Sequence, residues 1–180
     1  MSNLPIPNLI SEDFFIAKEH VYNQCGFICS APQAEPESAE YGACSFNIHK
    51  KTIIFRVAKT TPTKNGQFVT IWKRINNGPI QPYDISDDFD LIVISTRKDN
   101  HLGQFVFPKS MLLEKGIISG SNKDGKRGIR VYPPWEQATS KQAEKTQGWQ
   151  LRYFLRIQGD ANVDIERATK LYQNETLIIK

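Results

Sequence analysis

Long apolar runs are missing from this sequence: none exceeds the length of Leu91 to Ile94, far short of the roughly 20 residues that a membrane-spanning helix requires. No basic residue precedes the apolar positions of Met1 to Ile10, as a secretory signal demands. The expectation is a cytoplasmic protein with no membrane partner. Cysteine is scarce and odd in number: Cys25, Cys29 and Cys44 cannot all be paired internally, and the CxxxC spacing of the first two differs from the CxxC of redox and zinc motifs. All three are read as buried thiols. His20, His49 and His101 stand far apart without metal-ligand spacing, and the chain holds neither an internal repeat nor a low-complexity tract.

What is present fits an ordinary globular domain. Hydrophobic residues make up 39% and charged residues 23%, close to the values of folded soluble proteins, and 180 residues suffice for one sizeable core. A single domain over residues 1–180, as a monomer, is expected. The net charge of +4 conceals an asymmetry. Residues 1–49 hold 1 base and 6 acids, residues 50–130 hold 15 and 7, and residues 131–180 hold 7 and 6. Such a concentration of positive charge in the centre points to a polyanionic partner, with a merely solvated surface as the competing reading.

The local patterns predict a mixed α/β (α+β) fold. Ser11-Glu12-Asp13 opens a helix that runs to about Gln24, the serine capping free N–H groups and the acids facing the positive end of the dipole. Cys25 to Cys29 reads as a short strand. Tyr41 to Ile48 and Thr52 to Thr60 form a hairpin of β-branched and aromatic residues. Phe68, Ile71, Trp72 and Ile75 recur at i, i+3, i+4 and i+7, which predicts a helix over Gln67 to Ile75 with Trp72 in the core. Phe89 to Thr96 reads as a buried central strand, and Gln104 to Phe107 as another. Pro108 to Lys115 is a short helix stopped by Gly116. Ser119 to Gly128 is a loop whose Lys123, Lys126 and Arg127 serve binding or solubility equally well, and Ile129 to Tyr132 is a strand. A helix over Thr139 to Gln147 with a Thr139–Gln142 capping box, a strand over Trp149 to Ile157 with helix as the competing reading, and a helix over Asn162 to Asn174 complete the chain. Tyr41, Tyr132 and Trp135 adjoin glycine, proline or loop residues and are read first as packing residues and second as stacking faces for bases.

One segment carries more than secondary structure. The apolar strand Ile53 to Val57 continues as Ala58-Lys59-Thr60-Thr61 and is followed by a turn and Gly66-Gln67. It resembles the catalytic segment of PD-(D/E)XK nucleases, and the resemblance implies a restriction-endonuclease-like core with helices packed on a mixed sheet. In that superfamily paired acids hold a divalent metal that activates water, and a lysine assists. Lys59 and Gln67 match the pattern, but the position two before the lysine is Val57, on the strand face where a carboxylate is required. Gly42 to Ile48 contains no acid, leaving Glu40 and Glu19 at the periphery.

The match then narrows. Glu40-Tyr41-Gly42-Ala43, Phe55 to Lys64, Gly66 to Arg74, Asp87-Asp88-Phe89-Asp90, Gly103 to Lys109 and Arg130 to Trp135 are similar to successive blocks of MepB-type bacterial proteins, over residues 10–157. Residues 158–180 are read as a C-terminal helical extension. The resemblance implies a nuclease-like fold with a degenerate catalytic site and a role in binding RNA or DNA, sometimes encoded beside a drug-efflux system.

The expected function is therefore largely sequence-nonspecific nucleic-acid binding through Lys59, Lys64, Gln67, Lys73, Arg74, Arg97, Lys98 and Lys109, without catalysis, metal or cofactor. Two alternatives stay open. One is a metal-dependent endonuclease, using Mg2+ held by Glu40 with Asp88 or Asp90 and assisted by Lys59 and Gln67, although acids at a loop-to-strand junction more commonly hold turns. The other is a regulatory module that binds a protein or a nucleotide-like ligand in the same cleft.

Overall fold

The computed structural model describes residues 9–158 and 162–173. Helix α1 (Glu12–Ala17) begins as expected, with the Ser11 hydroxyl accepting the Asp13 N–H, and continues as a π-helical turn over Lys18–Tyr22. Strands β1 (Gln33–Ala34), β2 (Cys44–Ile48) and β3 (Lys51–Val57) follow, then four short strands, β4 (Lys59–Thr60), β5 (Gln67–Thr70), β6 (Trp72–Arg74) and β7 (Ile80–Pro82). The long strands β8 (Leu91–Lys98) and β9 (His101–Pro108) lead into α2 (Lys109–Glu114). Strand β10 (Gly128–Val131), α3 (Lys141–Gln150), β11 (Phe154–Gln158) and α4 (Ile165–Gln173) end the described chain.

A six-stranded mixed sheet in the order β1-β2-β3-β8-β9-β11 divides the molecule. The expected hairpin is β2–β3, turned at His49 in the left-handed region (φ 54). Strand β3 pairs with β8 in parallel, and the other neighbours in the sheet are antiparallel. A parallel pair needs a crossover connection. Here β4 to β7 supply it where a helix is more usual.

The continuous apolar run of β8 is explained by burial on both faces. Leu91 and Val93 pack with Phe14, Val21, Phe55, Leu171 and Tyr172, under α1 and α4. Ile92 and Ile94 face the opposite way and pack with Phe105, Phe107, Val69, Ile71, Ile129 and Val131. The second face is covered by a small antiparallel sheet in the order β10-β5-β4, together with α2 and α3.

That small sheet corrects the predicted helix over Gln67 to Ile75. The apolar spacing fits both periods, but burial alternates: Gln67, Val69 and Ile71 are buried, while Phe68, Thr70 and Trp72 are only partly so. Pairing with β10 on one edge and β4 on the other fixes the strand. Ile75, expected on the apolar stripe, is exposed, and Trp72 lies beside the Arg74 guanidinium, 5.6 Å from its ring centre. Three smaller differences have local causes. Ser140, not Thr139, caps α3 by accepting the Ala143 N–H. Trp149 and Gln150 belong to α3 and Leu151–Tyr153 to a 3-10 turn, so the expected strand begins only at Phe154. Between Cys25 and Cys29 only Cys29 makes a β-bridge, with Ile48. The final residue of the last predicted helix, Asn174, lies outside the described residues. The three cysteines are unpaired, but of the three expected to be buried only Cys44 is, Cys25 and Cys29 being partly exposed; burial pushes the Cys44 thiol up to about 12, so it is inert at neutral pH.

Candidate functional site

Most of the cations singled out in the sequence are held by acids. Lys59, at the start of β4, lies 3.3 Å from Glu40 and 4.8 Å from the ring centre of Tyr41. Lys73 contacts both oxygens of Asp87 at 2.5 and 2.6 Å. Arg74 donates to Glu37 at 2.9 Å and to the Gly78 carbonyl. Arg97 donates to the buried Asp13 at 2.6 Å, and Asp13 also accepts the Ser95 hydroxyl, so this pair pins the first helix to the end of β8. Lys98 stands 4.0 Å from Glu136. Lys109 donates to the Asp87 carbonyl and lies over the Phe89 ring. Gln67 is buried, and its amide donates to the Arg97 carbonyl at 2.9 Å, tying β5 to β8. These residues are spread over several clusters. Lys64 alone among the eight lines a cavity described below.

The nuclease-like constellation is taken up in the same way. Val57 is half-buried and packs on Gly42, where a Cβ would stand 2.7 Å from Val57 Cγ2. Gly42 adopts φ 55, so both its conformation and its neighbour exclude a side chain. Lys59 is not on the strand of Val57 but on β4, in the second sheet. The aspartates hold turns: Asp84 accepts the Ser86 N–H and hydroxyl, Asp87 accepts the Asp84 N–H, and Asp90 accepts the Thr52 N–H at 2.8 Å. The bonds from Ser86 lower the Asp84 pKa below its ordinary value. Asp88 is exposed. Among the described residues no three His, Cys, Asp or Glu side chains gather as a metal-holding group. The site residues of the nuclease alternative are thus divided between two locations, Glu40 with Lys59 and the loop of Asp88 and Asp90.

A different set of residues converges. Between the outer face of the small sheet and α3 lies a cavity of about 490 Å³, adjoined by one of about 300 Å³ that shares Lys64, Arg130 and Tyr132 with it. Its shape follows from the register of the strands. Arg130 of β10 lies opposite Phe68 of β5, which lies opposite Lys59 of β4, so the three share the outer face as a row of cation, ring and cation. The Arg130 guanidinium sits 5.9 Å from the Phe68 ring centre and is braced by the Thr61 hydroxyl at 2.9 Å and the Asn65 carbonyl. Tyr132, two residues beyond Arg130, covers Gly66, where a Cβ would stand 2.7 Å from its ring. Gly66 has φ 78, and any side chain there closes off the tyrosine.

Helix α3 forms the other wall and is fastened by two glutamines. Gln150 accepts the Tyr132 N–H at 2.8 Å and donates to the Arg130 carbonyl at 2.9 Å, satisfying the edge of β10 as another strand would. Gln147 donates to the carbonyls of Pro133 and Glu136. Lys115 and Lys126 complete the rim. Lys64, Lys115, Lys126 and Arg130 have no carboxylate partner among the described residues, and neither cavity has an acid in its lining. Three aromatic rings, Phe68, Tyr132 and Trp149, stand among these cations.

Of this groove the sequence points to Lys64 as a phosphate contact, to Lys126 as a loop cation suited to binding or solubility, and to Tyr132 as a packing residue with stacking as its second role. It assigns no binding role to Lys115, Arg130, Phe68 or Trp149. The alternation Gly128-Ile129-Arg130-Val131-Tyr132 held the signal for Arg130, since i and i+2 residues share a strand face.

A family model described as MepB-like matches residues 35–156. The groove residues all fall inside that segment, whereas α1 and α4 lie outside it. A solved structure described as "Crystal Structure of MepB" is 33% identical to this chain and covers 84% of it and 100% of its own length, with a TM-score of 0.71. Comparison with curated proteins gives no match. No helix among the described residues is long and apolar enough to cross a membrane.

Proposed function

The chain belongs to the MepB-like family, and on that footing we propose that it binds nucleic acid without cutting it, with Lys64, Lys115, Lys126 and Arg130 as the phosphate contacts. The observation that carries this reading is the contrast in pairing. Lys59, Lys73, Arg74 and Arg97 have found carboxylates, while the four cations around the groove have none among the described residues and face a lining without acids. A cluster of unpaired positive charge in a concave, partly apolar site attracts a polyanion and is self-repulsive without one. The contacts are to phosphates, so sequence preference is weak.

A nuclease-like frame belongs to the same proposal. It is supported by a helix leading into the β2–β3 hairpin with β8 parallel to β3, although the position of the following helix is occupied by β5. Metal-dependent cleavage is the poorer fit because Glu40 is engaged by Lys59 and Asp90 by the Thr52 amide.

Binding of a labelled oligonucleotide, titrated at several salt concentrations with Mg2+ present, tests the reading. Four phosphate contacts to a single strand give a log–log salt slope of about −3, and replacing Lys64 and Arg130 together by alanine lowers the slope by about 1.4. Intact substrate is expected throughout. A flat salt response, or a double variant that binds like the parent, refutes the assignment.

A further inference from the structure

Resting on this nucleic-acid reading, we infer that the groove seats one unpaired nucleotide, phosphate in its smaller chamber and base against the aromatic wall of its larger one. The two chambers differ in chemistry. The smaller is lined by Lys64, Arg130, the hydroxyls of Thr63, Thr139 and Ser140, and the first turn of the ten-residue helix α3. Hydroxyls, a guanidinium, an ammonium and the positive end of a helix dipole make a phosphate environment. The larger chamber adds Phe68, Trp149 and Ile117, with Lys115 and Lys126 at its edge. An extended chain of phosphates gains nothing from such a wall, whereas a nucleobase stacks on it.

The size and shape agree. A volume of about 490 Å³ lies within the range of about 300–1,000 Å³ that holds small organic ligands. A base paired inside a duplex keeps its faces covered by its neighbours and does not present them to Phe68 or Trp149. The ammonium of Lys115, 5.5 Å from the Trp149 ring centre, belongs to an exposed and flexible side chain that yields this face to a base and remains beside the adjoining phosphate. Arg130 joins the two chambers, bonded to Thr61 and Asn65 and with its Cζ 5.9 Å from the Phe68 ring centre. The shared chemistry is a nucleoside monophosphate unit, whether free or within a strand.

The decisive measurement compares a single-stranded oligonucleotide, a duplex of equal phosphate content, a nucleoside 5′-monophosphate, inorganic phosphate and polyglutamate by calorimetry at one salt concentration. The single strand is expected to bind about tenfold more tightly than the duplex. Trp149→Leu should abolish that difference and leave duplex affinity unchanged, and Phe68→Leu at the opposite wall gives the same result should the first variant fail to fold. Equal binding of strand and duplex by the native protein overturns the inference and leaves the phosphate-binding reading intact. Binding of the monophosphate without either oligonucleotide keeps the seated nucleotide and rejects the nucleic-acid reading. Polyglutamate bound as tightly as the single strand, or no binding of any ligand, refutes both.

Discussion

Two populations of basic residues share this molecule, and they differ in what surrounds them. On the main sheet and its crossover, Arg56, Lys73, Arg74 and Arg97 each rest on a carboxylate at 2.5–2.9 Å. Around the groove, Lys64, Lys115, Lys126 and Arg130 have no such partner among the described residues. Both groups contribute equally to a charge count. Only the second leaves its field uncompensated where a ligand has room, so pairing and not abundance separates charge that holds the fold from charge available for recognition.

Arg56 offers the largest break. Its side chain is fully buried, donating to Glu35 at 2.8 Å, to the Tyr83 hydroxyl and to the Phe55 carbonyl. Arg56→Ala removes the charge, the hydrogen bonds and the packing together and is expected to lower unfolding free energy by about 3 kcal/mol, read from urea denaturation. Arg56→Met, which keeps the volume while Glu35 hydrates at its open side, should recover part of that loss. Oligonucleotide affinity of the folded Arg56 variants stays at the parental value. A variant that folds normally but loses affinity erases the distinction.

A step smaller is the opposite experiment on the groove. Lys115→Ala combined with Lys126→Ala is expected to change stability by no more than about 0.5 kcal/mol while weakening oligonucleotide binding about tenfold at low salt, with a smaller deficit as salt rises. Should the pair prove destabilising and binding stay constant, the groove cations belong with the first population.

Lys59 sharpens the boundary, because it belongs to both settings. It lies in the row with Phe68 and Arg130, yet it contacts Glu40, a residue whose side chain is 70% exposed. An exposed pair of this kind contributes about 0–1 kcal/mol, so Lys59→Ala scarcely moves stability. Glu40→Gln is the informative change: it frees Lys59 beside the groove and should tighten oligonucleotide binding about two- to threefold, as one added phosphate contact does where the cation is exposed. Weaker binding after Glu40→Gln would place the glutamate among the groups that hold the ligand.

How much of this arrangement was legible beforehand depends on the range of the forces involved. Local signals were read correctly where they act within a few residues: the Ser11 cap, the β2–β3 hairpin, the buried run of β8, and α2 between Pro108 and Gly116. Gln67 to Ile75 was misread because Phe68, Ile71, Trp72 and Ile75 satisfy a helical period by accident. The deciding partners, β10 some 60 residues away in β5's register and β4 just before it, are invisible to a local window. Resemblance to MepB-type proteins gave the correct family, and its blocks take in Lys64, Phe68 and Arg130, yet no binding role follows from it for Arg130, and Trp149 lies outside the blocks. Ion pairing is nonlocal in the same sense. Nothing near Arg97 in the chain announces Asp13, 84 residues earlier, as its partner.

The smallest predicted effect concerns the acids and separates turn-holding from metal-holding. Asp84 has its pKa lowered by the hydrogen bonds from Ser86. A carboxyl depressed in the folded state contributes stability that is present above its unfolded pKa, near 3.8, and is lost as pH falls through the folded value. Urea midpoints measured from pH 5 downward should therefore decline more gently below pH 3.8 in Asp84→Asn than in the parent. Mg2+ at neutral pH should leave both proteins' midpoints unmoved, because one Asp84 oxygen is taken up by Ser86 and both Asp87 oxygens by Lys73 and the Asp84 amide. A rise in stability with Mg2+ that disappears in Asp84→Asn or Asp88→Asn would mean that the loop gathers around a cation, and the acidic cluster would then return to the centre of the site.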